Sequence, residues 1–276
     1  MALGDVEIVT VDSMQVYRGM DIGTATPTPA ERGGVPHHLL DVADPAEGYD
    51  VARYAQAARE AIDGIEGRGH RALLVGGTGL YFQAVVDGLV LPGRWPEVRK
   101  ALEADPDTCR LYRRLRVLDP AAAAKMEPTN RRRVVRALEV TVGSGQPFSA
   151  FGPGVGWYPT SPWRIAGLWL ARAEGSARIA RRLAEMVDGG LVAEVEALRS
   201  GGLSRTARQA LGYREVLDHL ESGTPLAEAL ALVESRTRAL ARRQRMWWRR
   251  DPRITWYGTG AKPLAVVPSL LGDWRK

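Results

Sequence analysis

Alternating β-branched and polar residues predict a strand over Val6–Val11, which ends at the polar pair Asp12 and Ser13. From Asp50 to Glu66 the apolar residues recur every three or four positions, which is the spacing of an amphipathic helix. A strand followed by a helix is the building unit of α/β proteins. This part of the chain therefore predicts an α/β fold.

The same order of elements occurs again farther along the chain. A short buried strand is predicted over Arg71–Val75, a tight turn over Gly76–Gly79 and a helix over Leu80–Val86. Strand, turn and helix in this order indicate a parallel sheet. Strand character returns once more at Arg164–Leu170.

A charged helical stretch separates these α/β segments. From Glu97 to about Val142 the pattern is wholly helical, and residues 143–162 form a loop rich in glycine and proline. We therefore predict an α/β core built from residues 1–93 and 161–276. Residues 94–160 are predicted to be a helical insertion in this core.

The last long element is a predicted helix from Thr224 and Pro225 to Arg250. Threonine is a good N-cap and proline is favoured at the first helical position. Asp251 and Pro252 would end the helix, because the residue before a proline avoids helical geometry.

Two faces of this predicted helix differ in character. The apolar face contains Leu226, Leu230, Val233, Leu240 and Trp247, and Gln244 points along it. The other face contains Arg238, Arg242, Arg245 and Arg249. A solvated helix would mix glutamate with arginine to form i,i+4 pairs, but no acid occurs between residues 236 and 250. The pattern therefore favours a helix that binds phosphates.

Composition supports a folded protein and limits its chemistry. The chain has 276 residues, 45% of them hydrophobic and 25% charged, which excludes disorder over the whole chain. A single cysteine, Cys109, excludes an intramolecular disulfide and a cysteine-built zinc site. There is no apolar run of ~18 residues and no basic-then-apolar leader, so we expect no membrane span and a cytoplasmic protein.

Positive charge is concentrated in two places. The net charge is +6, yet residues 236–253 alone contain eight arginines and one acid. A second cluster consists of Arg131, Arg132, Arg133 and Arg136. Such patches favour a polyanion as partner, although a solvated helix face is the competing interpretation.

Two polar residues follow predicted strands and are candidates for chemistry. In open α/β sheets, ligands bind beyond the carboxyl ends of the strands, where Asp12 and Thr78 are expected. A carboxylate there can act as a general base, and a hydroxyl in a glycine-rich turn can approach a ligand closely. A simple N-cap at Asp12 and a simple turn at Gly76–Gly79 remain the alternatives. His37 and His38 are expected to orient a loop backbone.

Six strings in the chain carry a family resemblance. They are VDSMQVYRGMDIGTATPT (11–28), PHHLLDV (36–42), LLVGGTGLYFQAVVDGL (73–89), RRRVVRALEV (131–140), ALGYREV (210–216) and ARRQRMWWRRDPRI (241–254). Together they closely resemble the tRNA dimethylallyltransferase family, also called isopentenyl-diphosphate:tRNA transferases. The resemblance covers nearly the whole chain and implies a P-loop NTPase-like parallel sheet.

The resemblance implies transfer of a dimethylallyl group from its diphosphate to N6 of the adenine at position 37, next to the anticodon. Asp12 matches the catalytic aspartate of the family, and Thr78 matches the threonine that hydrogen-bonds at the reacting centre. Ser13, Met14 and Gln15 match the segment that holds the flipped-out base, together with Asp12 and Thr78. An anticodon-loop base is already largely unpaired, so its extrusion costs little.

The resemblance also assigns residues to tRNA and to the diphosphate. The further positions that match tRNA contacts are Arg99, Arg132, Arg133, Val134, Val135, Arg136, Gln209, Ala210, Leu211, Gly212, Tyr213, Arg214, Arg242, Arg243, Gln244, Arg245 and Arg249. Arg178, Arg181 and Arg182 match arginines that the family keeps for the diphosphate. Mg²⁺ is expected as cofactor, with no ligand assigned in this chain. The expected partners are the tRNA anticodon stem-loop and dimethylallyl diphosphate, and the expected state is a monomer.

One family motif is absent from the 276 residues. The family carries G-P-T-x-x-G-K-S/T between a first strand and a first helix, whereas no lysine follows a glycine in this sequence. We therefore expect the first strand, the P-loop and most of the first helix to be missing, with Met1–Gly4 as the end of that helix. The missing backbone N–H groups and lysine would hold the diphosphate, and the Ser/Thr hydroxyl would bind magnesium.

Two alternatives to tRNA prenyl transfer remain at this point. An enzyme that prenylates free adenine nucleotides would need neither the basic insertion nor the basic C-terminal helix. A non-enzymatic remnant that binds tRNA without turnover would fit the missing P-loop.

Overall fold

The computed structural model describes residues 5–260 and 263–274, and it divides the chain into two compact units. The first unit comprises Met1–Asp87 and Thr160–Lys276, and the second comprises Gly88–Pro159. The predicted insertion over residues 94–160 overlaps the second unit, whose role in tRNA binding stays a prediction. The predicted helix end at residues 1–4 lies outside the described residues.

The first unit contains a three-stranded parallel sheet. Its strands are β1 (Val6–Val11), β2 (His37–His38) and β3 (Arg71–Gly76), in the order β2-β1-β3. Val6 pairs with Arg71 and Val11 pairs with Gly76, so β1 and β3 end side by side. The strands predicted over Val6–Val11 and Arg71–Val75 are confirmed, and so is the α/β class with a parallel sheet.

A second parallel sheet pairs β4 (Ala166–Leu170) with β5 (Thr255–Thr259). Among the described residues, no strand joins this sheet to the first one. The strand predicted at Arg164–Leu170 is therefore present, and it belongs to this second sheet. Val75 near the end of β3 and Trp169 on β4 are about half exposed, at 47% and 50%.

Helices of the first unit surround these strands. They are α1 (Pro29–Arg32), α2 (Val51–Gly67), α3 (Gly79–Val86), α8 (Arg172–Asp188), α9 (Leu191–Gly201), α10 (Tyr213–Ser222), α11 (Leu226–Trp248) and α12 (Val267–Trp274), with 3₁₀ turns at Ala207–Gln209 and Pro263–Val266. Asp50 caps α2, because its carboxylate accepts hydrogen bonds from the N–H groups of Ala52 and Arg53. Within the described residues, no helix is both long and apolar enough to cross a membrane.

The core of the first unit lies between the three-stranded sheet and its helices. Val9 and Val11 of β1 pack with Tyr54 and Ile65 of α2 and with Leu191 of α9, all of them buried. The helical spacing along α2 matches its buried residues, whereas on β1 the polar residues Glu7 and Thr10 are buried as well as Val9 and Val11. The core holds rigid the strand ends that carry the candidate site.

Helix α11 is shorter than predicted at both ends. Pro225 is extended (ψ 134°) and occupies the N-cap position without a side-chain cap, so the expected cap by Thr224 is wrong. The Thr224 hydroxyl instead lies 2.9 Å from Ser222 Oγ. At the other end the helix stops at Trp248, two residues before the predicted end.

The second unit is a small helical domain. Its helices are α4 (Pro96–Ala104), α5 (Thr108–Leu118), α6 (Pro120–Ala123) and α7 (Arg131–Ser144), followed by a 3₁₀ turn at Phe148–Phe151. The stretch from Glu97 to Val142 is helical as expected, and it is divided into separate helices because capping side chains start new helices within it. Asp107, Asp119 and Asn130 each accept a hydrogen bond from a backbone N–H of the next helix.

This unit has its own apolar core. The buried residues are Leu102, Leu111, Leu115, Ala123, Val134, Val135, Ala137 and Leu138. They come from α4, α5 and α7 and from the end of α6. The helical periodicity of the insertion therefore reflects the packing of its own core.

Candidate active site and nucleic-acid interface

The segments of Asp12 and Thr78 meet at the carboxyl ends of β1 and β3. The Thr78 N–H donates to the Val11 carbonyl oxygen over 3.2 Å. The Ser13 N–H donates to Thr78 Oγ1 over 3.3 Å. The predicted meeting of these two loops is confirmed, whereas the catalytic roles of both residues stay predictions.

Asp12 closes a turn with one carboxylate oxygen. Asp12 Oδ1 accepts hydrogen bonds from the N–H groups of Met14 (2.8 Å) and Gln15 (3.4 Å). No α-helix begins here, so the alternative of a helix N-cap is wrong. Across residues 5–260 and 263–274, Asp12 Oδ2 has no hydrogen-bond partner, which leaves it available to a ligand.

The environment of Asp12 favours its protonated form. Burial raises the pKa of the carboxyl group, and this is the largest influence. The two backbone hydrogen bonds and the positive charge of Arg182 lower the pKa, but to a smaller extent. A carboxylate with a raised pKa is a stronger base than an ordinary aspartate.

Thr78 occupies the N-cap position of α3 but does not cap it. Its side chain makes no hydrogen bond to the helix, and its oxygen accepts from the Ser13 N–H instead. The hydroxyl hydrogen therefore remains available for donation. The side chain is half-buried beside the Asp12 turn.

The glycines around Thr78 are required by close contacts within the protein. A Cβ on Gly76 would lie 2.1 Å from the Val11 carbonyl oxygen. A Cβ on Gly77 would lie 2.4 Å from Gln244 Nε2, and one on Gly79 would lie 2.1 Å from Trp247 Nε1. We expected a ligand to approach this turn, but side chains of α11 make the approach that the structure shows.

Gln15 of the predicted base-holding segment supports a neighbouring turn. Its Nε2 donates to the carbonyl oxygens of Thr24 (3.2 Å) and Ala25 (3.1 Å). This amide nitrogen is therefore committed to the protein, and a contact with RNA would use Oε1. Ser13 and Met14 are half-buried, and Met14 packs against the core.

A half-buried carboxylate that the sequence did not reveal holds the adjacent loop. Glu194 on α9 accepts hydrogen bonds from the N–H groups of Asp21 (3.0 Å), Ile22 (2.8 Å) and Gly23 (3.3 Å). The Tyr213 hydroxyl also donates to Glu194 over 2.6 Å, and burial with this hydrogen bond raises the pKa of Tyr213. Nothing in the local pattern of α9 distinguishes Glu194, since the backbone N–H groups that donate to it lie about 170 residues away in the chain.

The ALGYREV segment divides between core and surface. Ala210, Gly212 and Tyr213 are buried, and their assignment to tRNA stays a prediction. The Tyr213 ring packs behind the loop at Gly23, where a Cβ would meet it at 2.4 Å. Gln209 and Arg214 are exposed and Leu211 is half-exposed.

Two predicted tRNA segments line one concave surface. A cavity of about 260 Å³ is bounded by Gln209, Leu211, Arg214, Glu215, Arg236 and Arg243. Arg236 forms an ion pair with the buried Glu215. Arg214 and Arg243 are exposed and form no ion pair within the described residues, which gives the cavity its positive charge.

The arginine stripe of α11, which consists of Arg238, Arg242, Arg245 and Arg249, has fewer unpaired charges than predicted. Arg238 pairs with Glu234 on the preceding turn, because Glu234 lies just outside the window that lacks acids. Arg242 and Arg249 are exposed and Arg245 is half-exposed, and the described part of the chain offers none of them an ion-pair partner. The free positive charge therefore lies toward the C-terminal half of the helix.

In the second unit, the arginine cluster is partly internal. Glu139 is buried, and it pairs with Arg99 (3.2 Å) and Arg136 (3.0 Å). These two guanidinium groups neutralise a buried carboxylate, which their assignment to tRNA did not anticipate. Val134 and Val135 lie in the core with their side chains buried, and their assignment to tRNA stays a prediction. Arg132 and Arg133 remain exposed.

The three arginines predicted for the diphosphate have different surroundings on α8. The charge of Arg182 acts on Asp12, and burial followed by the charge of Arg178 lowers the pKa of Arg182. Arg182 therefore lies near the candidate base, and Arg178 lies close to Arg182. Arg181 instead pairs with Glu185 over 3.7 Å at an exposed position.

The histidines and the acids form no candidate metal site. Within residues 5–260 and 263–274, no group of three or more His, Cys, Asp or Glu side chains could hold a metal ion. His38 and His70 bind Glu7 over 2.6 and 2.7 Å, at the opposite end of β1 from Asp12. Hydrogen bonds from Arg68 and from His38 lower the pKa of Glu7 to about 2. This cluster ties β1 to β2 and takes no part in the candidate site.

Comparison with known proteins gives a consistent result. A family model described as IPP transferase matches residues 15–251. A tRNA dimethylallyltransferase from Kineococcus radiotolerans is 48% identical over 272 residues, which cover 96% of this chain and 85% of that protein. One from Streptomyces coelicolor is 47% identical over 270 residues, covering 96% and 86%.

Solved structures with a similar fold agree with these matches. The full-length tRNA isopentenylpyrophosphate transferase of Bacillus halodurans is 36% identical with a TM-score of 0.70, over 97% of this chain and 86% of that one. A eukaryotic dimethylallyltransferase acting on tRNA is 25% identical with a TM-score of 0.76, over 98% of this chain and 71% of that one.

Proposed function

This chain belongs to the IPP transferase family of tRNA-modifying prenyltransferases, and we propose that Asp12 is the general base of its reaction. The activity is the transfer of a dimethylallyl group to tRNA. The observation that carries the role of Asp12 is its position: Oδ2 has no hydrogen-bond partner within residues 5–260 and 263–274, and the N–H of the next residue, Ser13, donates to the Thr78 hydroxyl. The group passes from dimethylallyl diphosphate to N6 of the adenine at position 37, beside the anticodon.

The acceptor amine needs a base. The lone pair of an adenine exocyclic amine is delocalised into the ring, so N6 is a poor nucleophile. As the N6–C1 bond forms, the C1–O bond of dimethylallyl diphosphate breaks and diphosphate leaves with the electron pair of that bond. One N6 proton passes to Asp12 Oδ2, which restores a neutral amine on the product.

Thr78 and the arginines of α8 support the reacting centre in this proposal. The Thr78 oxygen is engaged by the Ser13 N–H, so the hydroxyl hydrogen points to another acceptor at the site. Arg182 places positive charge near Asp12, with Arg178 close to Arg182 on the same helix, and this charge would stabilise the leaving diphosphate as it gains negative charge. Arg181 is directed to Glu185 and has a smaller role.

The family resemblance also implies magnesium, which would neutralise charge on the diphosphate. The described residues do not fit a protein-built magnesium site, because no group of three or more His, Cys, Asp or Glu side chains among them could hold a metal ion. We therefore derive no step from a metal ion. The P-loop-like character of the sheet likewise stays part of the proposal.

Positive charge that is not neutralised within the protein supports binding of the anticodon stem-loop. Arg214 and Arg243 line the cavity beside α10, and Arg242 and Arg249 continue the charge along α11. An enzyme for free adenine nucleotides would not need this surface, which favours tRNA over that alternative. We propose a monomer acting in the cytoplasm.

The proposal is tested with Asp12→Asn, which keeps an acceptor for the Met14 N–H and removes the base. Single-turnover transfer from dimethylallyl diphosphate to unmodified tRNA should fall by roughly 10²–10⁴-fold, with little change in tRNA affinity. Asp63→Asn is the matched control, since Asp63 is exposed on α2 and makes no described contact. Near-normal turnover of Asp12→Asn would refute the role of Asp12.

A further inference from the structure

Helix α11 makes a direct hydrogen bond to the turn that carries Thr78. Gln244 Nε2 donates to the Gly77 carbonyl oxygen over 3.2 Å. One helical turn later, Trp247 lies against Gly79, and Trp248 meets Phe82 of α3 edge-on at 5.0 Å between ring centroids. The side chains at positions 244, 247 and 248 therefore form one contact face on this turn.

The hydrogen bond from Gln244 acts on the peptide unit next to the Thr78 side chain. The Gly77–Thr78 peptide is held on its oxygen by Gln244 and on its nitrogen by the Val11 carbonyl, each over 3.2 Å. Two opposed hydrogen bonds fix the orientation of a peptide plane. The position of Thr78 Oγ1 beside Ser13 and Asp12 follows from that orientation.

The turn is shaped to receive this contact. A Cβ at Gly77 would come within 2.4 Å of Gln244 Nε2, so a side chain there would push the amide away. Glycine at this position thus serves the approach of α11, and Gly79 does the same for Trp247. Gly77 and Gln244 are 167 residues apart in the chain and meet only in the folded molecule.

The opposite side of the same helical segment carries the free arginines. Arg242 and Arg243, which precede Gln244 in the sequence, are exposed and form no ion pair within the described residues. One rigid helical turn therefore joins a surface suited to phosphates with a contact on the Thr78 turn.

We propose that Gln244 is a positioning residue that holds the Thr78 hydroxyl in its reactive place, and that it links tRNA bound on α11 to the reacting centre. This inference rests on the proposed function. It differs from the tRNA contact that the family resemblance assigned to Gln244, because its amide nitrogen points inward to Gly77.

The test is Gln244→Met, which keeps the length of the side chain and removes the donor. The single-turnover rate at saturating tRNA and dimethylallyl diphosphate should fall roughly 10- to 100-fold, the size expected when a reacting group is misplaced by a fraction of an ångström to about one. The Kd for tRNA should change less than twofold. Gln56→Met is the matched control, because Gln56 is exposed on α2 and bonds only to Glu60.

A double-mutant cycle with Thr78→Ala separates positioning from other roles. If Gln244 acts through Thr78, Gln244→Met should cause no further decrease in rate in a Thr78→Ala background. Multiplicative decreases would overturn the inference. A raised tRNA Kd with a normal saturating rate would also overturn it and would make Gln244 a tRNA contact. A lowered Tm with unchanged rate and Kd would leave only a structural role, which equally overturns it.

The wild-type reaction distinguishes this inference from the proposed function. Absence of transfer by the wild-type chain, under conditions where it binds tRNA, would refute the proposed function itself. Transfer by wild type that Gln244→Met leaves unchanged would refute only the positioning role. Hydrogen exchange of the Thr78 amide supplies a readout without turnover, since removal of the Gln244 hydrogen bond should speed its exchange.

Discussion

At the scale of single residues, Asp12 is placed so that opposite influences set its basicity. Burial raises its pKa, and two backbone N–H groups and the charge of Arg182 lower it. A base must be ionised before it can accept a proton, so a pKa raised too far would leave it inactive. The neighbouring arginine therefore keeps the buried carboxylate usable, as well as being placed to attract a diphosphate.

This balance predicts the pH dependence of the reaction. The rate should rise with pH as Asp12 ionises, with a midpoint above the ordinary aspartate value of about 3.9. Arg182→Met removes a charge that lowers the pKa, so the midpoint should move to higher pH. The measurement is the single-turnover rate against pH with both substrates saturating. Arg181→Met, whose partner is Glu185, should leave the midpoint in place, and a midpoint unmoved by Arg182→Met would contradict the prediction.

At the scale of elements, α11 shows how one helix divides its faces. Ala229 and Val233 are buried, Gln244 and Trp247 contact the Thr78 turn, and the arginines after Arg238 lie at the surface. Arg238 belongs to the same predicted stripe but is neutralised by Glu234. Equal spacing in sequence therefore does not mean equal availability to a polyanion.

The unequal availability predicts unequal effects on tRNA binding. Arg242→Ala with Arg245→Ala should weaken binding and reduce the slope of log K against log salt by roughly 0.7–0.9 for each phosphate that is no longer neutralised. Arg238→Ala should change the slope less, since its charge is already paired within the protein. The measurement is a salt titration of tRNA affinity. A slope that falls equally in both cases would show that the pair with Glu234 opens on binding.

At the scale of the whole molecule, the chain forms two units with separate apolar cores. Leu191 belongs to the core of the first unit and Leu138 to the core of the second, and both are almost fully buried. Each core draws its residues from its own unit. The two units are therefore expected to unfold as separate cooperative transitions.

Matched truncations test this separation. Leu138→Ala and Leu191→Ala should each lower the stability of one unit by about 2–5 kcal/mol, the usual cost of emptying a leucine site in a core. Calorimetry should show one transition shifted by each variant and the other transition unmoved. A single transition shifted equally by both variants would mean that the cores unfold together.

The local pattern of the chain was sufficient for strands β1 and β3 and for their ends, but not for the ends of α11 or for the helix boundaries of the second unit. Alternation in Val6–Val11 and the glycine turn before Thr78 depend on neighbours within a few residues. The placement of Asp12 and Thr78 at one sheet edge followed from the rule that parallel strands end on the same side. The family motifs could likewise be recognised in the amino-acid sequence alone, and the comparisons confirm the family that they resemble.

The partners of the polar side chains depended on packing between distant segments. Glu194 accepts hydrogen bonds from the loop at Asp21–Gly23, and Gln244 donates one to Gly77. Glu139 forms ion pairs with Arg99 and Arg136. Periodicity indicates which residues share a face, but it does not indicate what that face will touch. A charged or amide side chain must find a partner once it is buried, because an unpaired polar group there costs free energy. Which partner it finds is set by the folded arrangement, and that arrangement separates the arginines that serve the protein from those left for tRNA.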